Sequence, residues 1–179
     1  FPSFRSWPRH DSTLHQQMHL HWTRRAFESG LRLMVAIAVN NEMLANLAMG
    51  AHLDNSDAAS IAAQVADMKA TIAENASWMA LALDPDEARA AIAAGKLAVV
   101  LGVEVDTLGG YQRPDDCTAQ QVRDLVDGLV AQGIRAITPL HLADNAFGGC
   151  AITADQFAIL NHYLFDIHSG QGRFYDVDV

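Results

Sequence analysis

Cysteine is scarce in this chain of 179 residues, which has only Cys117 and Cys150. Two thiols can pair or stay free, but they make no disulfide scaffold and do not fix the redox compartment. Charged residues are also few, at 18%, against 50% hydrophobic, a globular balance rather than a disordered one. Basic side chains are outnumbered, 12 Lys and Arg against 21 Asp and Glu, for a formal net charge of −9. That excess argues against non-specific nucleic-acid binding and against an anionic membrane surface as partner. No apolar run approaches the roughly 20 residues that span a bilayer. Phosphate-binding loops and nucleophile elbows are missing too: there is no GxGxxG, no Walker A and no GxSxG. No close repeat or low-complexity linker divides the chain. It begins with Phe1 and no signal-peptide pattern follows, so a processed chain or a piece of a longer one is expected.

What is present reads as a single domain over 1–179, with an irregular arm at 1–12 and a polar tail at 168–179. Asp11 or Ser12 can cap a helix from about Thr13 to Ser29, stopped by Gly30. An apolar strand follows from Leu31 to Val39 and ends in Asn40-Asn41. After a helix-friendly stretch from Glu42 to Ala51, Asn55 or Ser56 caps a long helix to about Glu74. Its face carries Ile61, Val65, Met68 and Ile72. Trp78 to Leu83 is a short strand. Asp84-Pro85-Asp86-Glu87 then opens an Ala-rich helix, with proline in the first turn and carboxylates at the positive end of the dipole. Gly95 stops it.

Lys96 to Gly110 is the most informative stretch. It begins as a near-continuous apolar run, the pattern of a strand covered on both faces in a parallel sheet, and closes with Glu104 and Asp106. A turn at Arg113-Pro114-Asp115-Asp116 leads to a capping box, Thr118 with Gln121, and a helix bearing Val122, Leu125, Val126 and Leu129. Ile134 to Thr138 is the next strand, with Pro139 at its end. Thr153 and Gln156 repeat the capping box ahead of Phe157, Leu160 and Leu164. Strands alternating with helices predict an α/β fold with a parallel sheet. Four such units make either a small open sheet or half of a (β/α)8 barrel of the TIM type.

Eight histidines invite a metal hypothesis. His19-Leu20-His21 has an HxH form, but it falls in a helical pattern, where residues two apart point in nearly opposite directions. His15 and His19 are spaced to share a helix face and read as exposed helical histidines. Glu104 alone reads as a solvated strand-end carboxylate, and His141 alone as a satisfied structural histidine. Together they stand at the carboxyl ends of successive strands, where α/β sites form, and such a pair can ligate a metal or polarise a substrate. Nothing marks Cys150 as an activated thiol.

The segments Gly95-Lys96-Leu97-Ala98-Val99-Val100-Leu101-Gly102-Val103-Glu104 and Leu129-Val130-Ala131-Gln132-Gly133-Ile134-Arg135-Ala136-Ile137-Thr138-Pro139-Leu140-His141, with Asn145 beyond, resemble the renal or membrane dipeptidase family of amidohydrolase-like metallohydrolases. The match runs from about Asp86 to Gly149, with a weaker likeness toward Thr13. The resemblance implies a (β/α)8 barrel with two zinc ions and an amide or dipeptide-like small-molecule substrate cleaved by metal-activated water. It makes Glu104 the bridging metal ligand and His141 the catalytic group that meets the tetrahedral centre. Asp106 and Asn145 become lesser candidates for substrate binding at the mouth.

The chain also departs from that pattern. The family's first strand supplies a His-x-Asp or His-x-His pair, and no such pair stands at a strand end here. After His141 only His162 and His168 remain, both in or beside a helix. Val105-Asp106-Thr107 replaces the usual Gly-Gly-His. The expectation is a portion of a metal-dependent hydrolase with little or no activity by itself. The alternatives are a non-enzymatic α/β scaffold, which exposed sheet edges would favour as a homo-oligomer, and a phosphoesterase of related barrel architecture.

Overall fold

The computed structural model describes residues 20–49, 54–141 and 144–149. The arm at 1–12, His15 and His19, Cys150, the helix expected from Thr153, His162, His168 and the tail at 168–179 lie outside them. The described elements run in order as α1 (Leu20–Glu28), β1 (Leu33–Asn40), α2 (Glu42–Met49), α3 (Asp57–Glu74), β2 (Met79–Leu81), α4 (Pro85–Ala93), β3 (Leu97–Val105), α5 (Ala119–Ala131) and β4 (Ile134–Thr138). Short 3-10 turns at Leu108–Gly110 and Pro114–Asp116 join β3 to α5. This is an α/β fold on a parallel sheet, as the alternation of patterns requires. Among the described residues no helix is long and apolar enough to cross a membrane.

The helices start where local chemistry tells them to. Ser56 Oγ accepts from Ala59 N at the head of α3, and Asp84 accepts from Asp86 N and Glu87 N at the head of α4. Thr118 and Gln121 close a reciprocal capping box on α5. The strand expected over Trp78–Leu83 shrinks to Met79–Leu81. Backbone donors at its flanks turn to the neighbouring helices: Trp78 N donates to Asn75 O at the end of α3, and Leu83 N donates to Glu87 Oε2 in α4. Cys117 is a free, half-buried thiol.

Strand β3 is the centre of the sheet. β1 pairs with it over its whole length, from Leu33 opposite Ala98 to Asn40 opposite Val105. Its other edge is shared: β2 takes Leu97 to Val99, and β4 takes Leu101 to Glu104. With the three-residue β2 set aside, the longer strands lie side by side in chain order, β1, β3, β4. The sheet is open, and the described residues do not close it into a barrel.

The two faces differ sharply. Leu97, Val99, Leu101, Val103 and Val105 point to one side and pack with Ile61, Val65 and Ile72 of α3, Leu129 of α5, and Trp78. On the opposite side Ala98 packs with Ala88 and Ala91 of α4. Beyond that small cluster the second face is bare on β1, where Leu33, Val35, Ile37 and Val39 are 37% to 46% exposed. Gly102 sits on this face, where an added Cβ would come within 3.3 Å of Val35, Ile37 and Ala136. Glycine there lets the flanking strands lean together across β3. The outer edge of β1 is blunted at its carboxyl end, because the Gln64 side chain donates to Val39 O and accepts from Val39 N.

The asymmetry is measurable. Leu101→Ala, in the covered face, is expected to cost about 2–5 kcal/mol in urea unfolding, and Val35→Ala under about 1 kcal/mol. Equal costs would mean that the β1 face is covered as fully as the other.

Candidate functional site

Glu104 lies one residue before the end of β3, on the same face as Val39 and Thr138, its partners on either side. The strand thus runs through the glutamate to Val105 instead of stopping at it. β4 carries one extra residue. Leu101 pairs with Ile134 but Gly102 pairs with Ala136, so Arg135 is bulged out of the ladder. The displaced guanidinium is used, donating to Leu83 O at 2.7 Å and Val130 O at 2.8 Å. The bulge sets Thr138, rather than Ile137, opposite Glu104, and so draws His141 one residue closer to it. Pro139 then ends the ladder.

The result is a direct contact. His141 Nδ1 and Glu104 Oε1 are 2.8 Å apart, with the two side chains 20% and 28% exposed. An ionised carboxylate can only accept, so in this contact Nδ1 donates. The two residues singled out by position in the sequence are therefore brought together across 37 residues of chain.

Asp106 and Asn145, also expected near the mouth, are placed beneath it. Asp106 is 3% exposed and Asn145 is fully buried, which leaves little of either for a substrate to touch. Asn41 Nδ2 donates to Asp106 Oδ2, and Asn41 Oδ1 accepts from Leu44 N at the start of α2. Asn145 Nδ2 donates to the Asp106 carbonyl at 2.9 Å and to the Pro139 carbonyl at 2.7 Å. A continuous hydrogen-bonded belt thus crosses the carboxyl ends of β1, β3 and β4.

A second knot lies beside it. Asp57, 4% exposed at the head of α3, accepts from Asn40 Nδ2, Thr107 N and Thr107 Oγ1, each at 2.8 Å. Asn41 and Asp57 had no functional signal in the sequence beyond a polar strand end and an acidic first turn, both of which are common. Burial and the neighbouring charges of Asp57 and Asp54 raise the pKa of Glu42 above its ordinary value. Hydrogen bonds from Ser56 hold Asp54 below its own.

Among the described residues no group of three or more His, Cys, Asp or Glu side chains is placed to hold a metal ion. Those residues bring Glu104 and His141 to the mouth, which is short of the donors that a two-zinc centre needs. A scan against protein-family models finds no match to this chain, and a comparison with curated proteins finds none either.

Two outcomes test the electrostatics. Asp57→Ala takes an acceptor from the Asn40 amide, Thr107 N and Thr107 Oγ1 and is expected to cost about 2–3 kcal/mol in chemical denaturation. A cost below about 0.5 kcal/mol would show the knot to be dispensable. For Glu42 the folded state holds its proton more tightly than the unfolded state. Its contribution is therefore fully present below the ordinary glutamate range and is lost as pH rises through the raised value. Glu42→Gln should raise the melting temperature at pH 7 relative to the parent, and the gain should vanish below that range.

Proposed function

We propose that this chain is part of a dipeptidase-like, metal-dependent hydrolase acting on amide or dipeptide-type bonds, with Glu104 and His141 its contribution to the site. The observation that carries this is the 2.8 Å contact between the two at the carboxyl ends of adjacent parallel strands, where α/β enzymes build their sites. The parallel pairing of β1, β3 and β4 supports a place in a (β/α)8 barrel, with β2 as an exception, since it pairs with β3 and does not lie between β1 and β3. So does the bare face of Leu33, Val35, Ile37 and Val39, since such side chains fill the interior of a closed barrel.

The described residues do not supply the donors of a two-zinc centre. What they do is simpler. Glu104 holds the His141 ring through Nδ1, which fixes the ring at the mouth for a small-molecule or dipeptide-like substrate. A neutral ring takes a proton there, and a protonated one donates to a developing oxyanion. Further metal donors would have to come from outside the described residues, in this chain or in the remainder of a longer one.

A second reading, a non-enzymatic scaffold that associates with copies of itself, is favoured by the same bare apolar strip on β1. Size-exclusion chromatography with metal analysis separates the two: an oligomer without zinc supports the scaffold, and a monomer that takes up zinc supports the hydrolase.

For the 179-residue chain the expected outcome is weak zinc binding and little turnover of dipeptides. Glu104→Gln should weaken the residual zinc affinity about tenfold or more, since losing even a residue that only supports a ligand costs that much. An unchanged affinity would remove Glu104 from the metal site. Stoichiometric zinc with steady turnover by the parent chain would overturn the incomplete-site view.

A further inference from the structure

We infer that Asn145 is a positioning residue, a clamp that sets the distance between Glu104 and His141 without touching substrate. The inference rests on the assignment of those two residues as the site pair. Asn145 lies at the base of a tight turn: its N–H donates to Gly148 O, its carbonyl accepts from Gly148 N, and its Oδ1 accepts from Phe147 N. That arrangement fixes the side chain, and it spends both amide protons elsewhere. One goes to the Asp106 carbonyl, two residues past Glu104, and the other to the Pro139 carbonyl, two residues before His141. A single planar amide therefore spans the ends of β3 and β4, next to each member of the pair.

The turn is held from a third direction. Ala146 N donates to Tyr111 O, and the Phe147 ring packs edge-on against Tyr111 at 6.5 Å between centroids. β-Ladder pairing ends at Glu104 and Thr138, so beyond it the Asn145 amide is a direct link between the two strand ends. With that link removed, nothing in the ladder fixes how far His141 stands from Glu104. Complete burial of Asn145 fits this role and leaves no surface for a ligand.

The test is the Glu104–His141 hydrogen bond itself, read in the full chain by NMR from the His141 Nδ1 proton and the two ring nitrogen shifts. Asn145→Ala should abolish the Nδ1 proton signal and return the ring to an ordinary tautomer mixture while circular dichroism still reports a folded chain. Asn75→Ala is the control. Asn75 donates to Thr71 O and accepts from Trp78 Nε1 at the amino end of the sheet, so its loss costs comparable bonds but should leave the His141 signature intact. If Asn145→Ala does not fold, Asn145→Ser, which keeps one donor and one acceptor, is read in the same way. Survival of the signature in the Asn145 variant, to the degree seen with Asn75→Ala, would reduce Asn145 to a purely structural residue and overturn the proposal. The readout does not depend on turnover, so a chain that hydrolyses nothing leaves the clamp standing, and a failed clamp leaves the hydrolysis test untouched.

Discussion

Every other strand takes its position from the pairing of β3. Leu97, Leu101, Val103 and Val105 are all 1% exposed or less, and eight consecutive residues of β1 are registered against the strand on one side. A shift of one residue would turn its core side chains to the bare face and bring Glu104 under α3 and α5. That penalty is what makes the register unique, and the register is what brings Glu104 to the open face beside Thr138. The site is thus a consequence of core packing, not an addition to it.

Polar side chains finish what the ladder begins. Hydrogen bonds between strands stop at the end of the sheet, and while Glu104 lies within the ladder, His141 lies beyond it. Asn41, Asp106 and Asn145 continue the cross-strand links past Val105, and Asp57 ties β1 and the loop after β3 to the head of α3. Such a network is stable only when its members are satisfied. Among the described residues no buried side-chain nitrogen or oxygen lacks a partner. The mouth therefore rests on a hydrogen-bonded polar layer at the end of an apolar sheet.

Much of this was legible in the sequence because its signals are local. Ser56, Asp84 and Thr118 announce their helices through bonds that span only two or three residues, and the run from Leu97 to Val103 can hardly be anything but a buried strand. Glu104 and His141 stood out as polar groups at strand ends. The remainder depended on long-range geometry. The Arg135 bulge, which moves His141 toward Glu104, leaves no mark on the hydrophobic pattern. Asn41 meets Asp106 across 65 residues, and Thr107 meets Asp57 across 50, so neither pair exists until the register is set. For the same reason the sequence marks Asp106 and Asn145 only as candidates near the mouth, while their burial and their hydrogen bonds belong to the folded chain.

If Glu104 and His141 act as one unit, a double-mutant cycle registers it directly. Unfolding free energies of the parent chain, Glu104→Ala, His141→Ala and the double variant would be compared under one set of conditions. The expected coupling is about 0.5–1.5 kcal/mol, the lower part of the range for contacting residues, because both side chains remain partly solvated. Additivity within about 0.3 kcal/mol would mean that the two side chains do not interact, and the site described here would not exist.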